Sequence, residues 1–348
     1  MLADQLDVVI GVDTHRDNHS LGVVAARTGA VLYQTTVPAQ ARGYAQALER
    51  IARHAPGARV FAVEGSGSYG AGLVRFLAER GERVIEIDRL TRTQERTRAK
   101  SDSLDALRAA RSALSRTRLA SPRAGGAREA LRVLMVARSG AVDVRRQAIR
   151  QLKSLIVTAP DDLRERLRTL DGMTLLNRCA AIRRPSRPEP ALIATSSVLR
   201  IVARRAIAAT TEARSLERDI AANVRALCPQ LLAEPGVGPI SAAQLLISFS
   251  HPGHCAQEAS FARLAGVAPI PASSGQVVRH RLDRGGDRQL NRALHTILLV
   301  RRQRDLATRA YIARRVSEGK STREAIRCLK RYLARHLYRL MEGAMQPA

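Results

Sequence analysis

Cysteine is scarce in this 348-residue sequence. The four residues, Cys179, Cys228, Cys255 and Cys328, form no CxxC pair and fit no zinc-module spacing. That argues against a disulfide scaffold or a cysteine-built metal centre, and reduced thiols in a cytoplasmic protein are expected. Long apolar runs are missing too. No window holds 18 consecutive apolar residues, so no membrane span is expected. The N-terminus MLADQLDVVIGV lacks a basic segment followed by an apolar stretch and a small-residue cleavage site, so no signal peptide is expected. The eight histidines are scattered and form no HExxH. Lysine is nearly absent: Lys100, Lys153, Lys320 and Lys330 are all there is among 58 basic residues.

Acidic residues are also few. They number 31 against 58 basic ones, a net charge of +27, with an isoelectric point near 11.5. Codon composition can account for arginine over lysine, but not for basic over acidic. A surface this positive attracts polyanions, and nucleic acid is the default partner. A membrane-surface role is disfavoured, because no single amphipathic segment concentrates the charge. The 45% hydrophobic content excludes wholesale disorder, and the length suffices for two cores.

The chain reads as three parts: residues 1–120, 121–228 and 229–348. In the first, Asp7–Asp13 (DVVIGVD) has the pattern of a short buried strand. Strands at His19–Arg27 and Val31–Val37 follow around a Thr28-Gly29 turn. A helix over Ala39–His54, a strand at Arg59–Glu64, a helix over Ala71–Arg80 and a strand at Arg83–Asp88 come next. A last helix contains Asp102 and Asp105 and runs towards Leu119. This is the element order of the ribonuclease-H-like fold. In the second part, apolar residues recur at helical spacing over 131–156 and 198–220, with an irregular stretch at Arg183–Pro190. Two long helices are expected, either as a coiled-coil-like arm or as a helical linker packed on the body. The third part is mostly helical, with a turn at Pro235–Gly238, helices at Ser241–Ser248 and Ser260–Ala265, and a loop at Gly266–Gly275. The fold class is α/β plus α.

Four carboxylates stand out by position. Asp13 ends the first strand and Glu64 the fourth, while Asp102 and Asp105 share one helix face. Parallel strands converge at one sheet edge, so Asp13 and Glu64 are expected as neighbours, with the helix adding the other two. Four acids gathered in a basic protein repel one another unless a cation lies between them. Hard divalent ions such as Mg²⁺ or Mn²⁺ take oxygen ligands and can clamp both oxygens of a phosphodiester displacement. Singly, each acid has a bland reading as a turn residue, a solvated strand end or a helix cap. For the nearby His15 and His19, a hydrogen-bonding or surface role is expected rather than metal ligation.

These stretches resemble the RuvC-like domain of the DEDD insertion-sequence transposases. They are Gly11-Val-Asp13-Thr-His, Val63-Glu64-Gly-Ser-Gly and Arg98-Ala-Lys100-Ser-Asp102-Ser-Leu-Asp105-Ala. The resemblance implies that Asp13, Glu64, Asp102 and Asp105 form a Mg²⁺-dependent tetrad. The C-terminal part resembles the transposase domain of the same family. Pro235-Gly-Val-Gly-Pro239 looks like its hairpin motif, Gly266-Val-Ala-Pro269 with Ser273-Ser274-Gly275 like its serine loop, and Gly286-Asp287 through Leu290 and Leu294 like its closing helix. The family's nucleophile, the serine before the glycine, maps to Ser274; Ser273 stands where the family usually has Gln.

Read from the residues alone, Gly236 and Gly238 open a helix whose N–H groups suit a phosphate. Arg279, Arg281 and Arg284 follow the Ser-Ser-Gly loop and could hold a scissile phosphate, although a solvated basic face is the better reading of any single arginine. The expectation is a transposase that cuts and rejoins donor and target DNA. The resemblance implies a homo-oligomer, dimer or tetramer, in which the acidic site of one subunit meets the serine domain of another. Members of one branch also use a structured guide RNA encoded by the element. The alternatives are a RuvC-like junction endonuclease using metal-activated water, and a non-catalytic nucleic-acid-binding protein.

Overall fold

The computed structural model describes residues 4–87, 102–116, 120–123, 125–183, 189–272, 280–281, 283 and 285–345. The chain divides into two compact units, Met1–Gly125 and Gly126–Ala348.

In the first unit, β1 (Val8–Thr14), β2 (Asn18–Ala25) and β3 (Val31–Pro38) form an antiparallel meander. Helix α1 (Ala41–His54) follows, then β4 (Arg59–Glu64), α2 (Ala71–Ala78), β5 (Val84–Ile87) and α3 (Asp102–Ser115). The sheet order is β3-β2-β1-β4-β5, with β4 parallel to both β1 and β5. Strand alternation gives the sheet two apolar faces. Val8, Ile10, Val12, Phe61 and Val63 pack with Tyr44, Ala47 and Ile51 of α1 and with Leu73 and Leu77 of α2. The opposite residues, Val9, Val60 and Ala62, pack with Leu107, Ala110 and Ala113 of α3. Each fully buried Val, Ile, Leu or Phe contributes roughly 1.5–3 kcal/mol.

The second unit begins with α4 (Gly126–Val157). Two short helices follow, α5 (Asp161–Leu167) and α6 (Gly172–Ala180), and then the long α7 (Pro190–Leu227). The two long helices lie against each other, and Arg138 of α4 pairs with Glu217 of α7 at 2.6 Å. The connection between them was expected to be irregular but carries α5 and α6. Their Leu163, Leu167, Leu175, Leu176 and Cys179 share a core with Leu152, Ile156, Leu199 and Val202. Part of the Arg183–Pro190 stretch, residues 184–188, lies outside the described residues.

The long helices do not stand apart from the C-terminal part. Leu131 of α4 and Ile220 and Val224 of α7 enter one core with the elements that follow. Those that share it are α8 (Gln230–Ala233), α9 (Pro239–Phe249), α10 (Glu258–Leu264), α11 (Arg288–Arg304) and α13 (Thr322–Met345); in chain order the two-residue strands β6 (Ile270–Pro271) and β7 (His280–Arg281) come between α10 and α11, and α12 (Leu306–Ser317) between α11 and α13. Phe249, Phe261 and Tyr338 meet at its centre, with ring centroids 5.8–6.4 Å apart. Cys179, Cys228 and Cys255 are buried, Cys328 is half-buried, and all four are thiols. Among the described residues, no helix is long and apolar enough to cross a membrane.

Candidate active site

Strand periodicity decides where the acids go. On β1, Val9 and Gly11 face α3, and Asp13 continues that series. On β4, Val60 and Ala62 face α3, and Glu64 continues it. The parallel ladder runs to Val12 paired with Val63, so Asp13 and Glu64 come next, at the same end of adjacent strands. The Thr14 hydroxyl donates to the Glu64 carbonyl at 2.8 Å and ties these ends together.

Helix α3 can reach the acids because β1 and β2 carry glycine where it lies closest to them. Gly11 and Gly22 are partners across β1 and β2. A methyl group on Gly11 would collide with the Ala106 carbonyl and lie 2.5 Å from the Ala110 nitrogen. One on Gly22 would lie 2.7 Å from the Leu107 side chain. Ala106, Ala109, Ala110 and Ala113 complete this close seat, and Asp102 and Asp105 occupy the first turn of the helix.

The His15 side chain bridges two elements. Its Nε2 lies 3.1 Å from Asp13 Oδ2 and 3.6 Å from Asp102 Oδ1. Ligand atoms of Asp13, His15 and Asp102 all lie within 4.8 Å of one another, the one such group among the described residues. Burial pushes the Asp13 carboxyl above the usual aspartate range. His15 opposes this, while Asp102 and Asp105 add to it. Asp105 pairs with Arg108 one turn on, at 2.5 Å. An open cleft of about 640 Å³ adjoins the group and is lined by His15, Arg16, Asn18, Thr36, Asp102 and Ser103. His19 is buried, with its Nδ1 3.1 Å from the Asn18 carbonyl oxygen and its ring stacked on Tyr44.

In the second unit, Gly236 has φ +77°, and a side chain there would press on the Ile297 carbonyl. Gly238 is the extended residue preceding α9, whose first residue is Pro239. Glu234 accepts from Arg301 at 2.7 Å and contacts His336 Nε2 at 2.8 Å, while Arg301 Nε also donates to the Pro235 carbonyl. Burial alone would raise the Glu234 pKa, but the hydrogen bonds from His336 and Arg301 outweigh it and the net shift is downward. A cleft of about 770 Å³ runs over this turn, lined by Gly236, Gly238, Ser241, Arg301 and Arg304 among others.

Ser273, Ser274, Arg279 and Arg284 lie outside the described residues. The chain on either side of that loop is tightly framed. Ile270 pairs with Arg281 and Pro271 with His280, and Arg281 is exposed. The backbone nitrogen of Asp287 donates to the Leu264 carbonyl at 2.6 Å. Gly266 and Gly286, both at positive φ, allow these two segments to touch. Asn291 donates to the Ala265 carbonyl at 2.7 Å and accepts from Lys330 at 2.9 Å. The Asp287 side chain caps α11 and accepts from the Ser248 hydroxyl at 2.6 Å.

His15, Thr14, Asn291 and Lys330 were not among the sequence-derived site residues. The first two follow Asp13 directly, and that proximity was their available signal. Asn291 and Lys330 are distant from the serine loop in sequence and carried none.

Residues 10–159 match a family profile of DEDD transposases of the IS110 type, described as a transposase. Residues 228–313 match a second profile, described as the transposase IS116/IS110/IS902 family. The chain is similar to the insertion element IS110 uncharacterized 43.6 kDa protein of Streptomyces coelicolor, 36% identical over 121 residues, which are 34% of this chain and 30% of that one. It is also similar to the insertion element IS900 uncharacterized 42 kDa protein of Mycobacterium paratuberculosis, 37% identical over 105 residues, which are 29% of this chain and 26% of that one. The chain thus spans less than a third of the length of these curated relatives.

Proposed function

Because this chain belongs to the IS110/IS116 family of transposases, we propose that it moves an insertion element by cutting and rejoining DNA strands at two centres, an acidic site and a serine. The observation that carries this reading is the approach of Asp13 and Asp102, on different elements, to a common His15. The sheet order β3-β2-β1-β4-β5 with α3 across it supports a ribonuclease-H-like, RuvC-like assignment for the first unit.

The donors suit a hard divalent cation: carboxylate oxygens within a few ångströms of each other, one of them on a carboxyl that burial and neighbouring acids hold in a raised pKa. Asp13 and Asp102, joined by Glu64 and Asp105, would hold Mg²⁺ or Mn²⁺. When bound, such an ion neutralises phosphate charge and activates an oxygen for displacement. Asp13 and Glu64 are fixed by strand ends and Asp102 by a helix seated on glycine, so the ligands are positioned before substrate arrives. The Arg108 side chain holds Asp105 from one turn away.

We assign the nucleophile to Ser274. Its Oγ would form a bond to phosphorus as the bond to the strand's leaving oxygen breaks, giving a phosphoserine link that a second strand then replaces. The paired strands β6 and β7 and the Leu264–Asp287 contact support a loop held at both ends. The cleft over Gly236 and Gly238, with Arg301 and Arg304, supports a phosphate-backbone contact, and exposed Arg281 supports another. The +27 charge accommodates DNA together with a structured guide RNA, and the apolar residues left exposed on α4, such as Val133 and Val136, support a homo-oligomer.

Strand exchange on supercoiled DNA tests this reading. Asp13→Asn, Glu64→Gln, Asp102→Asn and Asp105→Asn should each abolish exchange while DNA binding persists, and a chelator should reproduce the loss. Full exchange in chelator would exclude the metal chemistry. Cleavage that survives Ser274→Ala would favour a junction endonuclease instead.

A further inference from the structure

Aromatic residues are rare in this chain, six Tyr and four Phe with no Trp, and all four Phe are buried. Two of the tyrosines nevertheless meet at the surface. Tyr311 of α12 and Tyr332 of α13 have ring centroids 6.3 Å apart at 76°, and Tyr332 is 56% exposed. The Arg314 guanidinium lies 5.4 Å from the Tyr311 ring centroid. Among the described residues, no hydrogen bond ties either hydroxyl to the protein. Burial does not explain the pair, and neither does a polar contact.

The surroundings are strongly cationic. Residues 306–345 contain ten Lys or Arg against three Asp or Glu. The three acids are already engaged: Glu318 by Arg314 and Arg315, Glu324 by Ser321, and Glu342 by Tyr338. Arg327 and Arg331, which flank the Tyr332 turn of α13, have no ion pair among the described residues. Flat rings beside unpaired cations match a polyanion that also offers flat faces. Duplex DNA offers the charge but keeps its base faces stacked on one another, whereas an unpaired strand offers both.

We propose that Tyr311 and Tyr332 form a stacking platform for unpaired bases of single-stranded DNA, with Arg314, Arg327 and Arg331 tracking its phosphates. The occupant rests on the strand-exchange reading above, since opening and rejoining strands leaves DNA transiently unpaired. The platform uses none of the acidic-site or serine-loop residues, and would retain a released strand rather than act on it.

The test uses the full chain in chelator, so that nothing is cut. Labelled oligo(dT) of about twelve nucleotides, a length within the span such surfaces cover, is titrated by fluorescence anisotropy. A matching abasic strand, an oligo(rU) and a duplex are run in parallel. Tyr332→Ala should weaken oligo(dT) by about fivefold or more, the usual scale of one lost base stack. Tyr332→Phe should bind like wild type, and the abasic strand should bind both proteins equally and weakly. No effect of Tyr332→Ala, an equal effect on the abasic strand or the duplex, or an effect confined to oligo(rU) would overturn the proposal. If Tyr332→Ala does not fold, a wild-type crosslink from 4-thiothymidine-substituted oligo(dT) decides. Attachment within the Tyr311 or Tyr332 peptides supports the platform, and attachment only elsewhere refutes it. Loss of stacking with intact cleavage would remove the platform alone. Intact stacking with no strand exchange under any metal would remove the transposase reading alone.

Discussion

Gly11 and Gly22 stand opposite each other across the β1–β2 pair, and helix α3 lies directly on both. This contact brings the first turn of α3, with Asp102 and Asp105, to the strand end that carries Asp13. A side chain at Gly11 would meet helix backbone, which cannot rotate away. Gly11→Ala should therefore destabilise the first unit by about 1–3 kcal/mol. It should also lower cleavage by more than the unfolded fraction explains, because the acids move apart. A thermal melt and a cleavage assay on the same preparation check both effects, and an unchanged melt would show that the seat has slack.

Neutralising Asp13 should have the opposite effect on stability. Burial raises its folded pKa above the unfolded value, so the native state holds its proton more tightly. The associated stability is fully present below the unfolded pKa and is lost as pH rises through the folded one. At neutral pH, Asp13→Asn should be as stable as wild type or more stable, yet inactive. The stability difference should narrow in acid, as denaturant titrations across pH would reveal. A large loss of stability at neutral pH would contradict this account of Asp13.

Divalent metal should reverse that order. Ligands that bind only the folded state stabilise it, by roughly 2.7 kcal/mol at a hundred times Kd. Mn²⁺ should raise the melting temperature of wild type and leave Asp13→Asn nearly unmoved. His15→Ala should weaken Zn²⁺ more than Mg²⁺, because imidazole nitrogen suits zinc whereas magnesium prefers oxygen donors. Equal effects on the two ions would place His15 outside the ligand set.

Glu234 gives a pH signature in the second unit. Its folded pKa is lowered because the hydrogen bonds from His336 and Arg301 outweigh burial. Its contribution is present above the unfolded value and is lost as pH falls through the folded one. Glu234→Gln should cost about 1–3 kcal/mol at neutral pH. That cost should shrink in acid and disappear once wild-type Glu234 is protonated. Calorimetry at several pH values would show whether the difference closes.

The sequence made the positions of Asp13 and Glu64 legible, because β1 and β4 obey simple alternation, with Asp13 next to the end of β1 and Glu64 at the end of β4. The glycine of GVDTH was visible too, but its use as a helix seat depends on α3, about a hundred residues later. Helices α5 and α6 were missed because seven and nine residues show too little periodicity to separate from a loop. Strands β6 and β7 have two residues each, below what any pattern can mark. The Asn291–Lys330 link joins residues 39 apart on two helices, and only tertiary packing brings them together. The long helices read correctly as helices, but one end of the pair is held by the C-terminal core through Leu131, Ile220 and Val224.

The +27 charge predicts binding that weakens log-linearly with salt, as counterions released from phosphates are reabsorbed. Filter binding from low to high salt should give a steep slope, and Arg301→Ala should reduce it by about one contact. A flat response would sink the electrostatic claim.

The most direct measurement is the chemical identity of the protein–DNA link. Wild-type protein and supercoiled DNA carrying the element ends should be stopped with denaturant in the presence of Mg²⁺, digested with nuclease and protease, and sequenced by mass spectrometry. The account predicts a nucleotide attached to Ser274 alone, with no adduct in Ser274→Ala, Asp13→Asn or chelator, and an undiminished adduct in Ser273→Ala. Attachment to Ser273, or cleavage by Ser274→Ala with no covalent species at any time, would contradict it.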